Sequence, residues 1–225
     1  MGSETQIKIA EQFYSIQGES SFAGYPCFFI RFADCNLRCT YCDTRYAYEK
    51  DDHPLFSISQ ILTELQKYPG AIVEVTGGEP LLQKGVYPLL EKLLAAGRTV
   101  LLETNGSLSL ADVPKDVVRI MDMKCPGSGM HEQMDFDNFD LLDPKDEIKF
   151  VMGSRDDYNW AVQLVSAYGL QNKSTVTFSP VTSSLSPATL AGWILEDNLP
   201  VRLRLQLHTI IWPGKTKGYY TRRHN

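Results

Sequence analysis

The chain has 225 residues, of which 43% are hydrophobic, so a single sizeable domain can bury a substantial core. Its formal net charge is −5 at pH 7, and the sequence contains no run of five like charges. This balance excludes the basic footprint of a nucleic-acid or anionic-membrane binder and favours a small-molecule partner. We expect one domain over residues 1–225, with a tail over about residues 214–225.

The amino terminus "MGSETQIKIA" has no basic start followed by an apolar run, and no 18-residue apolar stretch occurs in the sequence. A secretory signal or a membrane span needs such features, so we expect a cytoplasmic protein. The chain has five cysteines, an odd number. In a chain of this kind they argue against a disulfide framework and favour metal binding or catalysis.

Apolar segments of strand length alternate with segments of helical period, which is typical of a parallel sheet covered by helices. The first predicted strand, at 26–33, leads directly into a cysteine-rich loop. A helix over 57–70 follows, with Ser57 and Gln60 in capping-box register. Next come a strand at 71–76 and a helix at 86–97 that ends at a glycine.

The same alternation continues to the end of the chain. It indicates an α/β fold, a complete or partial (β/α) barrel of the TIM type with mostly parallel strands. Every polar motif considered below follows a predicted strand, at the edge where barrels and open parallel sheets bind ligands. The remaining predicted strands are 99–104, 117–124, 146–152, 174–179 and 201–208, and the remaining helices are 154–169 and 187–198.

Three cysteines, Cys35, Cys39 and Cys42, are separated by three and then two residues, close enough for their thiolates to bind one centre. A closed structural zinc or iron site needs four ligands, and only three are local. Two interpretations stay open. The loop binds structural zinc with a distant fourth ligand such as His53 or Cys125, or it binds a cubane iron-sulfur cluster with one iron open to a ligand.

The CxxxCxxC spacing after the first barrel strand resembles the signature of the radical S-adenosylmethionine (SAM) enzymes. The resemblance implies a barrel of the radical SAM kind, with a 4Fe-4S cluster whose open iron binds SAM and supplies an electron that cleaves it. "TGGEP" at 76–80 is similar to the superfamily's Gly-Gly-Glu-Pro motif. Its glycines allow a ligand to approach the backbone closely, and Gly78 and Glu79 are candidates to receive the cofactor's amino group.

Residues 13–44, "FYSIQGESSFAGYPCFFIRFADCNLRCTYCDT", resemble the 7-carboxy-7-deazaguanine synthase family of that superfamily. The likeness implies a carbon-nitrogen lyase that converts 6-carboxy-5,6,7,8-tetrahydropterin to 7-carboxy-7-deazaguanine with loss of ammonia, on the route to queuosine and other 7-deazapurines. It also implies Mg²⁺, a homodimer, a truncated barrel, and a flavodoxin-type or similar electron donor.

The substrate residues follow from this resemblance and from the chemistry of a carboxylated pterin. The pterin carboxylate needs a cation, and the guanidinium of Arg31 offers a bidentate fit. Its neighbours Phe28, Phe29 and Phe32 indicate a charge held in an apolar wall. The pterin's amide and amino edge is expected to meet backbone groups, with Glu19 as a further acceptor. The expected substrate residues are Ile16, Gln17, Gly18, Arg31, Thr76 and Pro213.

The metal and cofactor residues are assigned in the same way. Magnesium prefers oxygen ligands, and the family's Cys-Asp-Thr assigns it to Thr44. Glu103 or Asp122 is expected to bond the ribose hydroxyls, as acids do in nucleoside sites. Where many relatives have Ser-Pro-Lys this chain has Asp-Met-Lys, so Lys124 transfers best. The expected SAM residues are Tyr41, Cys42, Asp43, Gly78, Glu79, Glu103, Asp122, Lys124, Ser179 and Pro180, with Asn105 as a further candidate.

The segment "LQLHTIIWPG" resembles the family's closing Gln-x-His segment, which places His208 at the rim and Pro213 near the pterin. A core or capping role fits His208 equally well. Two other functions stay open. A glycyl-radical activase would act on a protein, and a non-enzymatic zinc module would be colourless and hold stoichiometric zinc, whereas a radical enzyme would be brown with iron and sulfide.

Overall fold

Nine strands and five α-helices lie within residues 5–50 and 52–214, which are the residues that this computed structural model describes. Apart from Gly214, the expected tail lies outside the described residues. The strands are β1 (Gln6–Ile16), β2 (Pro26–Phe32), β3 (Leu55–Ser57), β4 (Ile72–Gly77), β5 (Val100–Thr104), β6 (Val118–Lys124), β7 (Glu147–Met152), β8 (Thr175–Pro180) and β9 (Arg202–Leu203). The helices are α1 (Ile58–Leu65), α2 (Val86–Ala95), α3 (Arg155–Tyr168), α4 (Pro187–Glu196) and α5 (Leu207–Ile211).

All nine strands form one sheet in the order β3-β1-β2-β4-β5-β6-β7-β8-β9. Neighbours from β2 to β9 are parallel, whereas β1 pairs antiparallel with both β2 and β3. The order ends at β3 and β9 without a pairing that joins them. The sheet is therefore an open, mostly parallel partial barrel, which confirms the predicted fold class.

Strands β1 and β3 were not predicted, and a bulge explains why β1 is hard to recognise. Its register against β2 shifts between Ile9 and Glu11. Ile9 packs with the core beneath the helices, whereas Phe13 packs on the opposite face of the sheet. An inserted residue reverses which side chains face each way, so the sequence of β1 shows no unbroken alternation.

The starts of α1 and α3 and the end of α3 confirm the predictions, whereas α1 ends at Leu65, before the predicted end at residue 70. The side chain of Ser57 accepts from the Gln60 amide, and Gln60 bonds back to the Ser57 amide, so the capping box of α1 is present. Ser154 caps α3, and Gly169 ends it with φ of 60°. That left-handed conformation favours glycine because it has no Cβ.

The two faces of the sheet bury different residues. The outer face packs against α1 to α4 and carries the main apolar core. The inner face, opposite these helices, carries a small apolar cluster. It consists of Phe13, Cys27, Phe29, Ile72, Leu101, Val118 and Ile120. Polar and charged side chains occupy other inner positions, and most of them lie towards the carboxyl ends of the strands.

The prediction of a strand over 201–208 is wrong for most of its length. Only Arg202–Leu203 pair with β8, and residues from Leu207 form α5. Beyond the sheet, the Leu207 amide donates to the Gly18 carbonyl at 3.0 Å, so the chain packs against the loop between β1 and β2. His208 therefore lies on a short helix. In the described part of the chain, no helix combines the length and the apolar character that crossing a membrane requires.

Candidate active site at the carboxyl ends of the strands

The cysteine loop follows the end of β2 and is held by hydrogen bonds to backbone carbonyls. Arg38 donates to the Cys35 carbonyl at 2.8 Å, and the Cys42 amide donates to the Cys39 carbonyl at 3.2 Å. Thr40 bonds through its hydroxyl to the Gly127 carbonyl at 2.8 Å. The loop is thus fixed against the turn that follows β6.

The thiols of this loop fit a cluster better than a zinc ion. Cys35, Cys39 and Cys42 are half-buried, and the Leu37 amide donates to the Cys35 sulfur at 3.4 Å. Hydrogen bonds to sulfur are a normal feature of iron-sulfur sites. Zinc needs ligands that converge on one point, whereas a cubane binds each thiolate to its own iron. Within residues 5–50 and 52–214, no three His, Cys, Asp or Glu side chains converge in that way.

The two distant zinc ligands considered from the sequence have other surroundings. His53 lies 3.0 Å from the Tyr46 carbonyl through its Nε2. Cys125 is fully buried, and burial raises the pKa of its thiol. Neither joins the three loop cysteines in a metal-binding group within the described residues.

The Gly-Gly-Glu-Pro motif at the end of β4 packs directly on the start of the cysteine loop. A Cβ on Gly78 would lie 2.0 Å from the Asp34 carbonyl oxygen, so only glycine fits. The Glu79 amide donates to that same oxygen at 2.9 Å. The motif and the loop are therefore placed as one unit.

The buried carboxylate of Glu79 holds the end of β5. It accepts from the Thr104 hydroxyl at 2.9 Å, the Asn105 amide at 2.7 Å and the Leu81 amide at 3.0 Å. Burial raises the pKa of Glu79 to about 7. Asn105 in turn donates to the sulfur of Cys35 at 3.8 Å. The side chain of Glu79 thus positions a neighbour of the thiols.

Five charged residues meet on the inner face, and we call them the inner charge cluster: Glu19, Glu103, Asp122, Lys124 and Lys149. The ammonium group of Lys149 bonds to Glu103, to Glu19 at 2.9 Å and to Asp122 at 3.4 Å. Lys124 also bonds to Asp122, at 2.9 Å. Thr76 donates its hydroxyl to Glu103 at 2.9 Å.

The cluster fixes the charge of its members. Burial alone would raise the pKa of Glu103, but Lys149 and Thr76 lower it to about 2. Burial alone would lower the pKa values of Lys124 and Lys149, but Asp122 and, for Lys149, Glu103 and Glu19 raise them. Glu103 is therefore an anion and both lysines are cations at neutral pH.

One oxygen in this cluster has no partner in the described residues. Asp122 Oδ1 is buried and makes no hydrogen bond, although Oδ2 binds both lysines. A buried polar atom without a partner costs free energy unless a ligand supplies one. Asp122 also lies within electrostatic range of Cys39. The oxygen is thus well placed to accept from a ligand hydroxyl beside the cysteine loop.

The loop 17–25, between β1 and β2, crosses to the far side of the sheet. The Gln17 side chain donates to Glu74 at 2.7 Å, and Ser21 binds the Glu147 carboxylate through its amide at 2.8 Å and its hydroxyl at 2.6 Å. Because Glu147 lies on β7, these contacts show that the sheet curls around the loop. Burial and the charge of Glu103 raise the pKa of Glu74 to about 8.

The backbone groups expected to meet a substrate are mostly engaged within this region. The Gln17 amide donates to the Tyr25 carbonyl at 2.9 Å, and the Gln17 carbonyl accepts from the Gly24 amide at 2.8 Å. Ile16 pairs with Pro26 at the end of β1. Gly18 lies against α5, where a Cβ would come within 2.8 Å of the His208 Nδ1.

Arg31 lies on the inner face near the end of β2, but it is not an unpaired charge in an apolar wall. It donates to Glu11 at 2.8 Å, and Tyr46 donates to the same carboxylate oxygen at 2.6 Å. Phe28 and Phe32 belong to the core of the opposite face. Adjacent residues of a strand point to opposite faces of the sheet, so the expected apolar wall is wrong for these two residues and confirmed for Phe29, which lies on the inner face.

The remaining candidates lie around the same edge. Tyr41 donates its hydroxyl to the Val151 carbonyl at 2.9 Å, and Ser179 donates to the Arg204 carbonyl at 3.0 Å. Thr44 Oγ1 lies 3.8 Å from the Cys42 sulfur. Asp43 is within electrostatic range of Arg31, Glu19, Glu103 and Lys149. Pro180 ends β8, and Pro213 is exposed beyond α5.

Sequence reasoning assigned no role to Lys149 or Glu74, and it included Gln206 only as part of the Gln-x-His segment. The signal for Lys149 is the alternation in "EIKFVM", where charged residues occupy the first and third positions of an otherwise apolar strand. In a sheet covered on one face by helices, such charges must face the other side. Gln206 donates to Glu19 at 2.9 Å, a contact between residues 187 positions apart that no local pattern indicates.

The family model for the Radical SAM superfamily matches residues 29–183 of the chain. Among curated proteins, the chain is 46% identical to the 7-carboxy-7-deazaguanine synthase of Koribacter versatilis, over 94% of this chain and 100% of that protein. It is 44% identical to the protein of the same name from Chlorobaculum tepidum, over 97% of this chain and 100% of that one. The chain therefore belongs to the 7-carboxy-7-deazaguanine synthase family of the radical SAM superfamily.

Solved structures share the fold at lower identity. The crystal structure of QueE from Escherichia coli matches with a TM-score of 0.72 and 22% identity, covering 90% of this chain and 95% of that one. SuiB from Streptococcus suis bound to S-adenosylmethionine matches with a TM-score of 0.57 and 16% identity, covering 80% of this chain and 50% of that one. These matches establish a common architecture.

Proposed function

We propose that this protein converts 6-carboxy-5,6,7,8-tetrahydropterin to 7-carboxy-7-deazaguanine with loss of ammonia, as a Mg²⁺-dependent lyase. The observation that carries the proposal is the relationship over nearly the whole chain to proteins named for that product. The structure supports it with a three-cysteine loop placed at the same edge of the sheet as a buried charge cluster. A structural zinc module would not need that cluster.

The proposed 4Fe-4S cluster and SAM are assigned to the edge of the sheet where β2, β4, β5 and β6 end. Cys35, Cys39 and Cys42 would hold a 4Fe-4S cluster and leave one iron for SAM, and together these groups supply a carbon-centred radical when bound. The unpartnered oxygen of Asp122 would accept from a ribose hydroxyl, with Glu103 beside it. The other proposed SAM contacts are Tyr41, Cys42, Asp43, Gly78, Glu79, Lys124, Ser179 and Pro180. Asn105, which lies between the Gly-Gly-Glu-Pro motif and the cysteine loop, is a further proposed contact.

The substrate is assigned to the space between the inner charge cluster and the loop 17–25. Arg31 would bind the pterin carboxylate, and it enters the site already oriented by Glu11. Glu19 would accept from the pterin's amide and amino edge, because carboxylate oxygens are strong acceptors. The other proposed substrate contacts are Ile16, Gln17, Gly18, Thr76 and Pro213, with His208 beside Gly18.

Magnesium would bind at Thr44, together with substrate oxygens and water. Mg²⁺ requires few protein ligands and retains much of its water shell, so one hydroxyl suffices. Asp43 adds negative charge next to it in sequence, and Arg31 and Lys149 lie within electrostatic range of that carboxylate. Thr44→Val is expected to raise the Mg²⁺ concentration needed for half-maximal turnover at least about tenfold without lowering the iron content.

The proposed assembly is a cytoplasmic homodimer that receives electrons from a flavodoxin-type or similar donor. Apolar side chains exposed on β9, α5 and the residues between them support the dimer, since exposed apolar clusters often mark interfaces. They are Leu203, Leu205, Ile210 and Ile211. Sedimentation equilibrium measures the dimer directly, and a monomer at micromolar concentration would contradict it.

The decisive experiment is turnover by the anaerobically reconstituted protein. We expect 7-carboxy-7-deazaguanine only when the carboxytetrahydropterin, SAM, reductant and Mg²⁺ are all present, with mass spectrometry as the readout. If 5'-deoxyadenosine forms without the deazaguanine, the protein acts on a different substrate, such as the protein target of a glycyl-radical activase. A colourless preparation with stoichiometric zinc would contradict radical chemistry.

A further inference from the structure

Lys149 is the most highly connected charge on the inner face and has no role in the assignments above. It lies in the middle of β7, and its side chain is only 7% exposed. Its ammonium group contacts carboxylates from three separate parts of the chain: Glu19 from the loop 17–25, Glu103 from β5 and Asp122 from β6. It therefore joins the proposed substrate side of the site to the proposed nucleoside side.

Stabilisation of the fold does not explain this arrangement well. One carboxylate is enough to keep a buried lysine charged, and buried ion pairs seldom add net stability over apolar residues of the same size. Here three carboxylates surround one ammonium, and Asp122 has a second cation in Lys124 at 2.9 Å. What the arrangement provides is a fixed position for each carboxylate.

The carboxylate of Glu19 lies on a loop, not on a strand, and two side chains from distant parts of the chain hold it. Lys149 binds its Oε2 at 2.9 Å, and Gln206 donates to its Oε1 at 2.9 Å. Each carboxylate oxygen accepts about two hydrogen bonds, so each retains capacity for a ligand N–H. The Glu103 and Asp122 carboxylates bind the same ammonium group as Glu19. Without the ammonium group, repulsion from these carboxylates would favour a different orientation of Glu19.

We propose that Lys149 is a positioning residue that holds the Glu19 carboxylate in the orientation that accepts hydrogen bonds from the pterin. This rests on the proposed function, because it takes the pterin as the ligand. Lys149 acts through Glu19 and does not itself contact the substrate. The proposal accounts for a buried cation that reaches across the open sheet from β7 to the loop between β1 and β2.

The test is a double-mutant cycle on ligand affinity, which needs no turnover. The probe is 6-carboxypterin, a stable fluorescent analogue, and equilibrium dialysis against the reconstituted protein gives its Kd. We expect Lys149→Met to raise this Kd at least about tenfold, and Lys149→Arg, which keeps the charge, to stay within about threefold of wild type. Glu19→Gln should raise the Kd as well, and adding K149M to E19Q should raise it no further.

The controls separate positioning from folding. Lys173→Met removes a half-exposed lysine that pairs with Asp140 at 2.6 Å, and it should leave the Kd unchanged. If K149M does not fold, the double variant K149Q/E103Q replaces it, because this variant removes one charge of each sign. Its reference is the single variant E103Q. The same loss of affinity is expected in that pair.

Two outcomes would overturn the proposal. One is a K149M protein that folds and binds 6-carboxypterin as tightly as wild type. The other is a loss of affinity that is equally large in the E19Q background, because Lys149 would then act by another route. If the wild-type protein binds no 6-carboxypterin, the proposed function fails instead, so the two failures are distinguishable.

Discussion

On strand β7, Ile148 and Phe150 face the helices, whereas Glu147 and Lys149 face the inside of the curled sheet. The same division runs through β4, where Val73 and Val75 join the outer core and Glu74 faces inward. All of these residues are buried or nearly so. Both faces thus bury their side chains, but the contacts that stabilise the buried side chains differ between the two faces.

Buried side chains on the outer face are stabilised by apolar packing. Buried charges on the inner face are stabilised by ion pairs and hydrogen bonds. An apolar side chain in the outer core can be replaced by another of similar volume at small cost. A charge on the inner face needs a specific oppositely charged or hydrogen-bonding partner, because an unpaired buried charge costs several kcal/mol. Changes on the outer face should therefore alter stability and leave chemistry intact, whereas changes on the inner face should alter ligand binding or chemistry as well as stability.

The largest effect is expected at the cysteine loop, with a buried cysteine of the inner apolar cluster as its control. Cys39→Ala removes one of three cluster ligands, so we expect iron content to fall by at least about half and turnover to drop below detection, on the order of a thousandfold. Cys27→Ala, in the inner apolar cluster, removes only packing and should keep full iron content. Iron and sulfide analysis with product assay measures both. Loss of iron in C27A would show that the inner apolar cluster also supports the metal site.

The next effect concerns the outer core. Phe150 is fully buried and its ring lies 5.6 Å from that of Phe178 and 6.3 Å from that of Trp160. Phe150→Ala should lower the free energy of unfolding by about 3–5 kcal/mol, since it removes apolar contacts and leaves a cavity. Phe136→Ala is the matched control, because Phe136 is 36% exposed and should cost about 1 kcal/mol or less. Urea unfolding of the apoprotein gives both values.

The outer face is also what the sequence predicted best. Periodicity and caps place α2 to α4, the start of α1, β2 and the strands from β4 to β8 within one or two residues, because these signals are local. The cysteine spacing and the Gly-Gly-Glu-Pro motif are local too, and they located the site. Glu19 was recognised only as a candidate acceptor, since its contacts with Lys149 and Gln206 join residues 130 and 187 positions apart. Such contacts are determined by how the sheet curls.

Two inner glutamates should respond to pH in opposite directions. The pKa of Glu103 is lowered from 4.5 to about 2 by Lys149 and Thr76, against the effect of burial. Its ionised form therefore stabilises the fold above pH 4.5, and that stability is lost as the pH falls towards 2. Burial and Glu103 raise the pKa of Glu74 to about 8. Its protonated form stabilises the fold below pH 4.5, and that stability is lost as the pH rises through 8.

Replacing each glutamate by glutamine removes its titration. At about 1.4 kcal/mol per pKa unit, the effect is on the order of 3 kcal/mol for Glu103 and on the order of 5 kcal/mol for Glu74. Glu103→Gln should be less stable than wild type at pH 7, and the difference should shrink below pH 4. Glu74→Gln should gain stability relative to wild type as the pH rises from 5 to 9. Chemical denaturation across this range measures both, and parallel curves for the two variants would contradict the assigned charges.

The smallest effect lies at a helix start on the outer side of the sheet. Ser154 caps α3, where its hydroxyl accepts from the Asp157 amide at 3.2 Å. Ser154→Ala leaves that amide without its partner and should cost about 1 kcal/mol in the free energy of unfolding. Ser166→Ala, at an exposed position of the same helix, should change it by less than about 0.5 kcal/mol. Because α3 packs on the face opposite the inner charge cluster, both variants should keep wild-type affinity for 6-carboxypterin. A weakened affinity in S154A alone would show that the two faces are coupled through β7, which carries Phe150 on one side and Lys149 on the other.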